Sequence, residues 1–306
     1  VAIVFSYTLI LFITFFYGIA RTSDRISRES LTQLLISKIN LRNASALIRS
    51  IMDFAKIIGP LIGAIIYSYY GITQAYILIA ILYLFSFLII FSIDVPGANY
   101  HKINIIKEIK TGIKYLNKNK VLVSIMFFAG LANLILFTLP GAYLPFIIKD
   151  IINGNASDLA LFNSFTAIGA LVGSLILSFG NLSNRPGKLV FLFLIIWHFS
   201  MFLTSIITNK LLLTLILVIY GAAGSITMIS LAVLVLSITQ KDMIGRIIGI
   251  RQLAIFTLPV GLVISGYLID TFGIIFSIQS VTIIGLIITL TLGYKSKKFM
   301  NYKNIN

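Results

Sequence analysis

Nine long runs of apolar residues dominate the chain, and short polar segments separate them. Each run is close to the roughly 20 residues that an α-helix needs to cross the hydrocarbon core of a bilayer. Backbone polar groups find no water in lipid, so each run is predicted to be a helix, although its many isoleucines favour strands in water. The predicted spans cover residues 1–20, 51–70, 72–93, 121–148, 159–180, 189–208, 211–238, 252–270 and 274–293.

The basic residues alternate between the two sides of this predicted topology. Of the 24 Lys and Arg, 21 fall in alternate connections and the tail, 2 fall in the other connections, and Lys56 lies inside a span. Short basic loops remain on the cytoplasmic side of a membrane. The alternation therefore supports nine spans independently of hydropathy. It predicts a multi-pass plasma-membrane protein with its C-terminus in the cytoplasm and residue 1 outside.

The composition agrees with a membrane protein and excludes several other classes. The chain is 58% hydrophobic and only 11% charged, which is too little charge to cover the surface of a soluble protein of this size. With no Cys, 2 His and 9 Asp and Glu, neither a disulfide scaffold nor a metal site or other cofactor is expected. The net charge of +15 lies on one side of the topology, so it indicates orientation, and no nucleic-acid partner is expected.

Two parts of the chain resemble each other at an offset of about 200 residues, the size of a six-helix repeat. Gly59-Pro60-Leu61-Ile62-Gly63, ending at Gly71, is matched by Pro259-Val260-Gly261, ending at Gly273. This predicts that residues 1–93 are the C-terminal part of one six-helix half and that residues 121–293 are the whole of the next. Residues 294–306 would then form a basic cytoplasmic tail.

The segment 94–120 is predicted to link these two halves. Within it, residues 103–116 place Ile106, Ile109, Ile113 and Leu116 on one helical face, with lysines opposite. This pattern is typical of an amphipathic helix that lies on the inner leaflet. Contact with anionic lipid and a simply solvated linker are both compatible with it.

Four stretches carry a family resemblance. They are Gly180-Asn-Leu-Ser-Asn184-Arg185-Pro-Gly187-Lys188, Ala55-Lys56-Ile-Ile-Gly59-Pro60-Leu-Ile-Gly63-Ala64, Gly245-Arg246-Ile-Ile-Gly249, and Leu144-Pro145-Phe146 with Phe165 and Gly169-Ala-Leu-Val-Gly173. With these four stretches in the family's order along the chain, the chain resembles the major facilitator superfamily. The resemblance is greatest to its drug-exporter branch of enterobactin-exporter and macrolide-efflux type. The resemblance implies an all-α polytopic membrane protein with the major facilitator fold, whose nine transmembrane helices correspond to helices 4–12 of twelve.

The resemblance also implies gating and hinge roles for the residues of this chain that match the family's motifs. A loop that latches the cytoplasmic gate would include Arg185, but Asn184 stands where the family usually has Asp, which weakens such a latch. The alternatives are an ordinary basic loop and an ordinary helix kinked by Pro60. The motif positions are Gly59, Pro60, Gly63, Gly180, Asn184, Arg185, Gly187, Lys188, Gly245 and Arg246.

Two further groups of residues are candidates for transport chemistry. Apart from Asp270, the last residue of the span 252–270, Asp53 is the only acidic residue inside a predicted span. Lys56 lies one turn away, so this pair could couple transport to protons or simply form an ion pair at the membrane edge. On helices that would line the cavity, Asn133, Asn163 and Tyr220 could contact substrate or bond neighbouring helices instead.

These observations predict a monomeric secondary active transporter that exports lipophilic small molecules or drugs by alternating access. The expected partners are the lipid bilayer, a small-molecule substrate and a proton as coupling ion; no enzymatic activity is expected. The alternative is a truncated, non-transporting remnant, because the chain starts at Val1 with its N-terminus outside and helices 1–3 of the family are not in it. A receptor or membrane enzyme would need a polar cluster that His198 alone does not supply.

Overall fold

A computed structural model describes residues 8–20, 24, 51, 54–55, 58–59, 62–63, 65–67, 69–91, 105–179, 185–240 and 243–302. In these residues the chain consists of helices and short turns, without a strand. Seven helices in the described ranges are long and apolar enough to cross a membrane, and a shorter apolar helix, α1, covers Thr8–Ala20. An all-helical, multi-pass membrane fold is thus supported. The count of nine stays a prediction, because the predicted spans over 1–20 and 51–70 extend beyond the described residues.

Each of the seven spans coincides with one of the predicted apolar runs. The largest difference is at α8, which begins at Ile244 instead of residue 252, so its first two turns include basic residues. The helices that follow α1 are α2 (Ile72–Phe91), α3 (Ile105–Lys118), α4 (Lys120–Ile151), α5 (Ala156–Phe179), α6 (Pro186–Leu203), α7 (Lys210–Ile238), α8 (Ile244–Phe272), α9 (Ile274–Lys295) and the short α10 (Lys297–Met300).

Asparagine side chains begin three of these helices. Asn119 accepts hydrogen bonds from the amides of residues 121 and 122 at 3.0 and 3.4 Å, where α4 starts. Asn155 and Asn209 accept equivalent bonds at the starts of α5 and α7. Each oxygen satisfies amides that have no partner inside the helix, which fixes where the helix begins.

Two glycines end corresponding turns of the predicted repeat. Gly71 and Gly273 have φ of +85° and +79°, a backbone region that strongly favours glycine. Each lies directly before a membrane-spanning helix, α2 and α9 respectively. The shared backbone conformation is consistent with the repeat that the sequence pattern indicates.

The chain divides into two compact units. One consists of residues 1–55 and 77–100, and the other of residues 56–76 and 101–306. In the first unit, the hydroxyl oxygens of Tyr17 and Tyr83 lie 3.4 Å apart, and the described side chains of α1 are exposed.

The second unit has a hydrophobic core built mainly around α4. Leu122, Ile125 and Leu136 of α4 are fully buried, together with Leu194 of α6 and Leu217 of α7. Helices α7, α8 and α9 also carry large apolar side chains on their exposed faces: Leu215, Ile219, Leu253, Val263 and Ile287. Apolar side chains on both the inner and the outer faces are typical of helices whose outer surface meets lipid.

Candidate functional site

Several candidate positions lie outside the described residues: Asp53, Lys56, Pro60, Gly180 and Asn184. Their proposed coupling, hinge and latch roles therefore stay predictions. Gly59 and Gly63, which flank Pro60, are described and helical, and a Cβ added at either would meet no atom within 4 Å.

Helix α4 is the most irregular helix of the second unit. Three of its segments wind as π-helix: Ala132–Leu136, Leu139–Tyr143 and Ile147–Ile151. Pro140 lies in the second of these segments, and Pro145 lies between the second and the third. Each removes one backbone hydrogen bond, because proline has no N–H to donate. Such π-helical turns occur frequently at functional positions in membrane and soluble proteins.

Tyr220 of α7 bonds the backbone of α4 close to one of these prolines. Its hydroxyl donates a hydrogen bond to the carbonyl oxygen of Leu136, and the side chain is buried. In a regular α-helix that carbonyl would accept from the N–H of residue 140, which here is proline. Tyr220 is one of the substrate-cavity candidates predicted from the sequence. In the structure its hydroxyl bonds the Leu136 carbonyl of α4.

The ring of Tyr220 belongs to an aromatic cluster that joins three helices. Trp197 of α6 packs edge-on against Phe137 of α4 and against Tyr220, with ring centroids 5.0 and 5.7 Å apart. Edge-to-face pairs at these distances are favourable beyond the area they bury. The cluster holds the Tyr220 ring in place, so its hydroxyl stays aimed at α4.

The two candidate asparagines differ in what their amides do. Asn133 is buried in the first π-helical turn of α4, and its amide nitrogen donates to the Ala129 carbonyl at 2.8 Å. Asn163 on α5 is half-buried, and its amide forms no hydrogen bond with any described residue. Of the three uncharged candidates, Asn163 therefore has the amide that is free to bind a further group.

Helix α8 braces the irregular part of α4 through small side chains. The Thr257 hydroxyl donates to the Gly130 carbonyl at 2.8 Å, across the two helices. One turn further along α8, Gly261 is buried so close to the Leu134 carbonyl that a side chain would not fit. Small residues of this kind let membrane helices approach backbone to backbone.

Helices α5 and α7 approach each other in the same way. Gly169 and Gly173 lie against the backbone of Val218 and Ala222, and Gly221 lies against the backbone of Thr166. At each of these glycines an added Cβ would overlap a backbone atom of the neighbouring helix. The Gly169-to-Gly173 motif of the sequence is thus a site of close helix packing.

The start of α8 contacts helix α3. Arg246 forms an ion pair with Glu108, from its Nε to Oε2, and both side chains are partly exposed. The hydrogen bond from Arg246 holds the pKa of the Glu108 carboxyl below its usual range. Tyr115 of α3 makes a second contact, with the connection between α7 and α8. Its hydroxyl accepts a hydrogen bond from the backbone N–H of Gln240 at 3.2 Å.

This ion pair gives one motif position a defined partner, and Glu108 was not among the sequence candidates. The signal that could have found it is simple: Glu108 is the only acidic residue within the predicted amphipathic segment 103–116. Gly245 and Gly249, which flank Arg246, have no atom within 4 Å of an added Cβ.

The described end of the loop between α5 and α6 contacts the tail. Gly187 is buried and lies directly against the Phe299 carbonyl of α10, where a side chain would clash. The Arg185 carbonyl accepts from the amides of Lys188 and Leu189 at 3.0 and 3.3 Å, so it belongs to the first turn of α6. Arg185 is half-buried, whereas the side chain of Lys188 is exposed.

Within the described ranges no group of three or more His, Asp or Glu side chains lies close enough to hold a metal ion. His198 is buried, its Nδ1 lies 2.8 Å from the Leu194 carbonyl oxygen, and its ring packs over Gly285. The arrangement offers buried amide, hydroxyl and aromatic groups in an apolar surrounding, which is suited to binding small apolar molecules.

Comparison with known proteins identifies a family. The sequence model described as Major Facilitator Superfamily matches residues 1–259, which include the described helices α1 to α7 and more than half of α8. No curated protein matches the chain.

Proposed function

The chain belongs to the major facilitator superfamily, whose members are generally transporters and not enzymes, and from this premise we propose that it is a secondary active exporter of lipophilic small molecules or drugs. On this proposal it works by alternating access and is driven by a proton gradient. On this proposal residues 1–93 are the C-terminal part of the N-terminal six-helix half and residues 121–293 are the C-terminal six-helix half, joined by the linker 94–120 and followed by the tail 294–306.

The uncharged interior of helices α4 to α9 is the observation that carries the choice of substrate. Every charged side chain of these six helices lies within eight residues of a helix end; Arg251, the eighth residue of α8, is the farthest in. A charged substrate would need fixed counter-charges inside the membrane, where they are costly and therefore kept only for function. An apolar interior with a few amide and aromatic groups suits lipophilic substrates instead.

Asn163 is the proposed substrate-contacting residue of α5, because its amide is half-buried and uncommitted. Asn133 and Tyr220 are proposed as positioning residues, since their polar atoms already bond α4. Both shape the irregular helix against which a substrate would pack.

Asp53 and Lys56 are the proposed coupling residues, and the argument for them rests on sequence. Apart from Asp270 at the very end of the span 252–270, Asp53 is the only acid inside a predicted span, so it is the proposed carboxyl for carrying a proton through the membrane. The gating positions of the loop 180–188 and of the turns around Gly59 and Gly245 complete the proposal.

Accumulation of a fluorescent lipophilic dye tests this function. Cells that express the full chain are loaded with rhodamine 6G or Hoechst 33342, with and without a protonophore. We expect expression to lower dye accumulation and the protonophore to abolish the difference. Unchanged accumulation across a broad panel of lipophilic compounds, with expression confirmed by immunoblot, would contradict export and favour the non-transporting alternative.

Matched variants separate the proposed roles. Asn163→Ala should change the relative export of different dyes, while Asn117→Ala on the exposed end of α3 should not. Asp53→Asn should abolish the protonophore-sensitive part of export, with Asp24→Asn as the control carboxyl outside the predicted spans. Loss of coupling in both aspartate variants would refute the special role of Asp53.

A further inference from the structure

A cavity of about 620 Å³ opens on the second unit where α4 begins and α9 ends. Four lysines stand around it: Lys120 from the start of α4, and Lys295, Lys297 and Lys298 from the end of α9 and from α10. Its remaining wall is largely apolar and includes Phe127 and Leu292. No residue proposed above for transport or gating lines it.

Local structure explains why the lysines meet there. The Ser124 hydroxyl of α4 donates to the Ser296 hydroxyl at 3.0 Å, which ties the start of α4 to the end of α9. The tail then turns back, and fully buried Phe299 packs against Phe128 with ring centroids 5.2 Å apart. This anchored turn holds the three tail lysines at the mouth of the cavity.

The positive charge at this mouth is not neutralised by the described part of the chain. The ion pairs among the described residues of this unit join Arg246 to Glu108 and Lys210 to Asp158. Neither pair involves a lysine of the cavity. The Lys297 ammonium lies over the Tyr294 ring, 5.8 Å from its centroid, which is a weak interaction at an exposed site. A cluster of this kind attracts an anion, most strongly a phosphate group.

The apolar wall indicates which anion. Phe127 lies in the second turn of a membrane-spanning helix and is 60% exposed, so its ring faces the lipid side and not the core. The cavity thus runs from an ammonium cluster at the membrane surface to an aromatic side chain in the hydrocarbon region. A soluble phosphate would use only the first part, whereas a phospholipid would use both.

We propose that this cavity is a binding site for one anionic phospholipid of the bilayer, with its phosphate at the four lysines and the upper part of an acyl chain against Phe127 and Leu292. The proposal depends on the chain spanning a membrane and not on what it transports. Its failure and the failure of drug export are therefore separate results.

Lipid titration of the purified full chain in detergent, followed by native mass spectrometry, tests the site. We expect one phosphatidylglycerol to bind at least about tenfold more tightly than phosphatidylcholine with the same acyl chains, because near a membrane surface each lysine contributes on the order of a few-fold in affinity for anionic lipid. The triple variant K295Q/K297Q/K298Q should lose about tenfold or more of that affinity.

The matched control removes the same charge elsewhere on the same unit. K110Q/K114Q/K118Q changes three exposed lysines of α3 and should alter the phosphatidylglycerol affinity less than about twofold. Equal losses in the two triple variants would show general electrostatic attraction and would overturn the proposal. Equal binding of phosphatidylcholine and phosphatidylglycerol by the unmodified chain would overturn it as well.

A second variant tests the lipid part without touching the tail. F127S should weaken phosphatidylglycerol binding about fivefold, because it removes an exposed apolar ring from the wall. It should leave the binding of soluble glycerol 3-phosphate unchanged. If glycerol 3-phosphate binds as tightly as phosphatidylglycerol and F127S affects neither, the cavity is a soluble-anion site and the lipid proposal is refuted.

Discussion

Replacing Tyr220 by Phe should destabilise the protein by about 1–2 kcal/mol. The change removes only the hydroxyl, while the ring stays packed against Trp197, so no large cavity forms. The lost bond leaves the Leu136 carbonyl without the Tyr220 donor, next to a proline that cannot replace it. Leaving a buried acceptor unsatisfied costs about 1–3 kcal/mol in proteins generally, and hydrogen bonds between membrane helices contribute on average about 0.6 and at most about 1.7 kcal/mol.

Equilibrium unfolding of the purified chain in mixed micelles, titrated with dodecyl sulfate and followed by circular dichroism, measures this cost. Tyr267→Phe is the matched control, because that tyrosine is 67% exposed on α8, and its expected change is below about 0.3 kcal/mol. A cost for Tyr220→Phe no larger than the cost for Tyr267→Phe would refute the reasoning.

A double-variant cycle tests the physical cause directly. Pro140→Ala restores the N–H of residue 140, which gives the Leu136 carbonyl a donor within its own helix. In that background, Tyr220→Phe should cost at most about half of what it costs in the unmodified chain. An undiminished cost would show that Pro140 is not the reason for the hydrogen bond.

The remaining predictions concern helix packing and helix α3. Gly221→Val should destabilise the same unfolding transition by about 2 kcal/mol or more, because its side chain meets the backbone of α5, whereas Gly249→Val, with open space around it, should cost less than half as much. A lowered folded-state pKa means that Glu108 contributes stability above its unfolded pKa and loses it as the pH falls through the folded pKa. Hydrogen exchange in residues 105–118, corrected for intrinsic exchange, should therefore speed up as the pH falls from about 6 to about 3. Glu108→Gln should remove this pH dependence. An identical pH profile in the variant would contradict the role of the ion pair.

The seven described spans could be predicted closely from the sequence, because the thickness of the bilayer sets the length of each apolar run. The start of α8 was predicted less well, since residues 244–251 include Arg246 and Arg251 and fall below the hydropathy of a span. They are helical nonetheless, and Arg246 is held by an acidic residue of α3. That contact joins positions 138 residues apart, which no local pattern encodes.

The polar candidates were identified by residue type, but their partners could not be. Asn133 bonds its own helix and Tyr220 bonds a carbonyl 84 residues away, so the same chemistry that suits a substrate is used inside the fold. The amphipathic pattern of 103–116 predicted the helix α3 correctly. It did not indicate that Gly112 is buried against α8 while Ile109 and Ile113 stay 43% exposed, because packing on protein and an apolar outer face coexist on this helix.

The glycine contacts between α5 and α7 have a mechanical consequence. Where backbone meets backbone, as at Gly169 and Gly221, there are no side-chain rotamers that can rearrange to let one helix slide along the other. We therefore expect the two helices to move together, so that a displacement of α5 is passed on to α7.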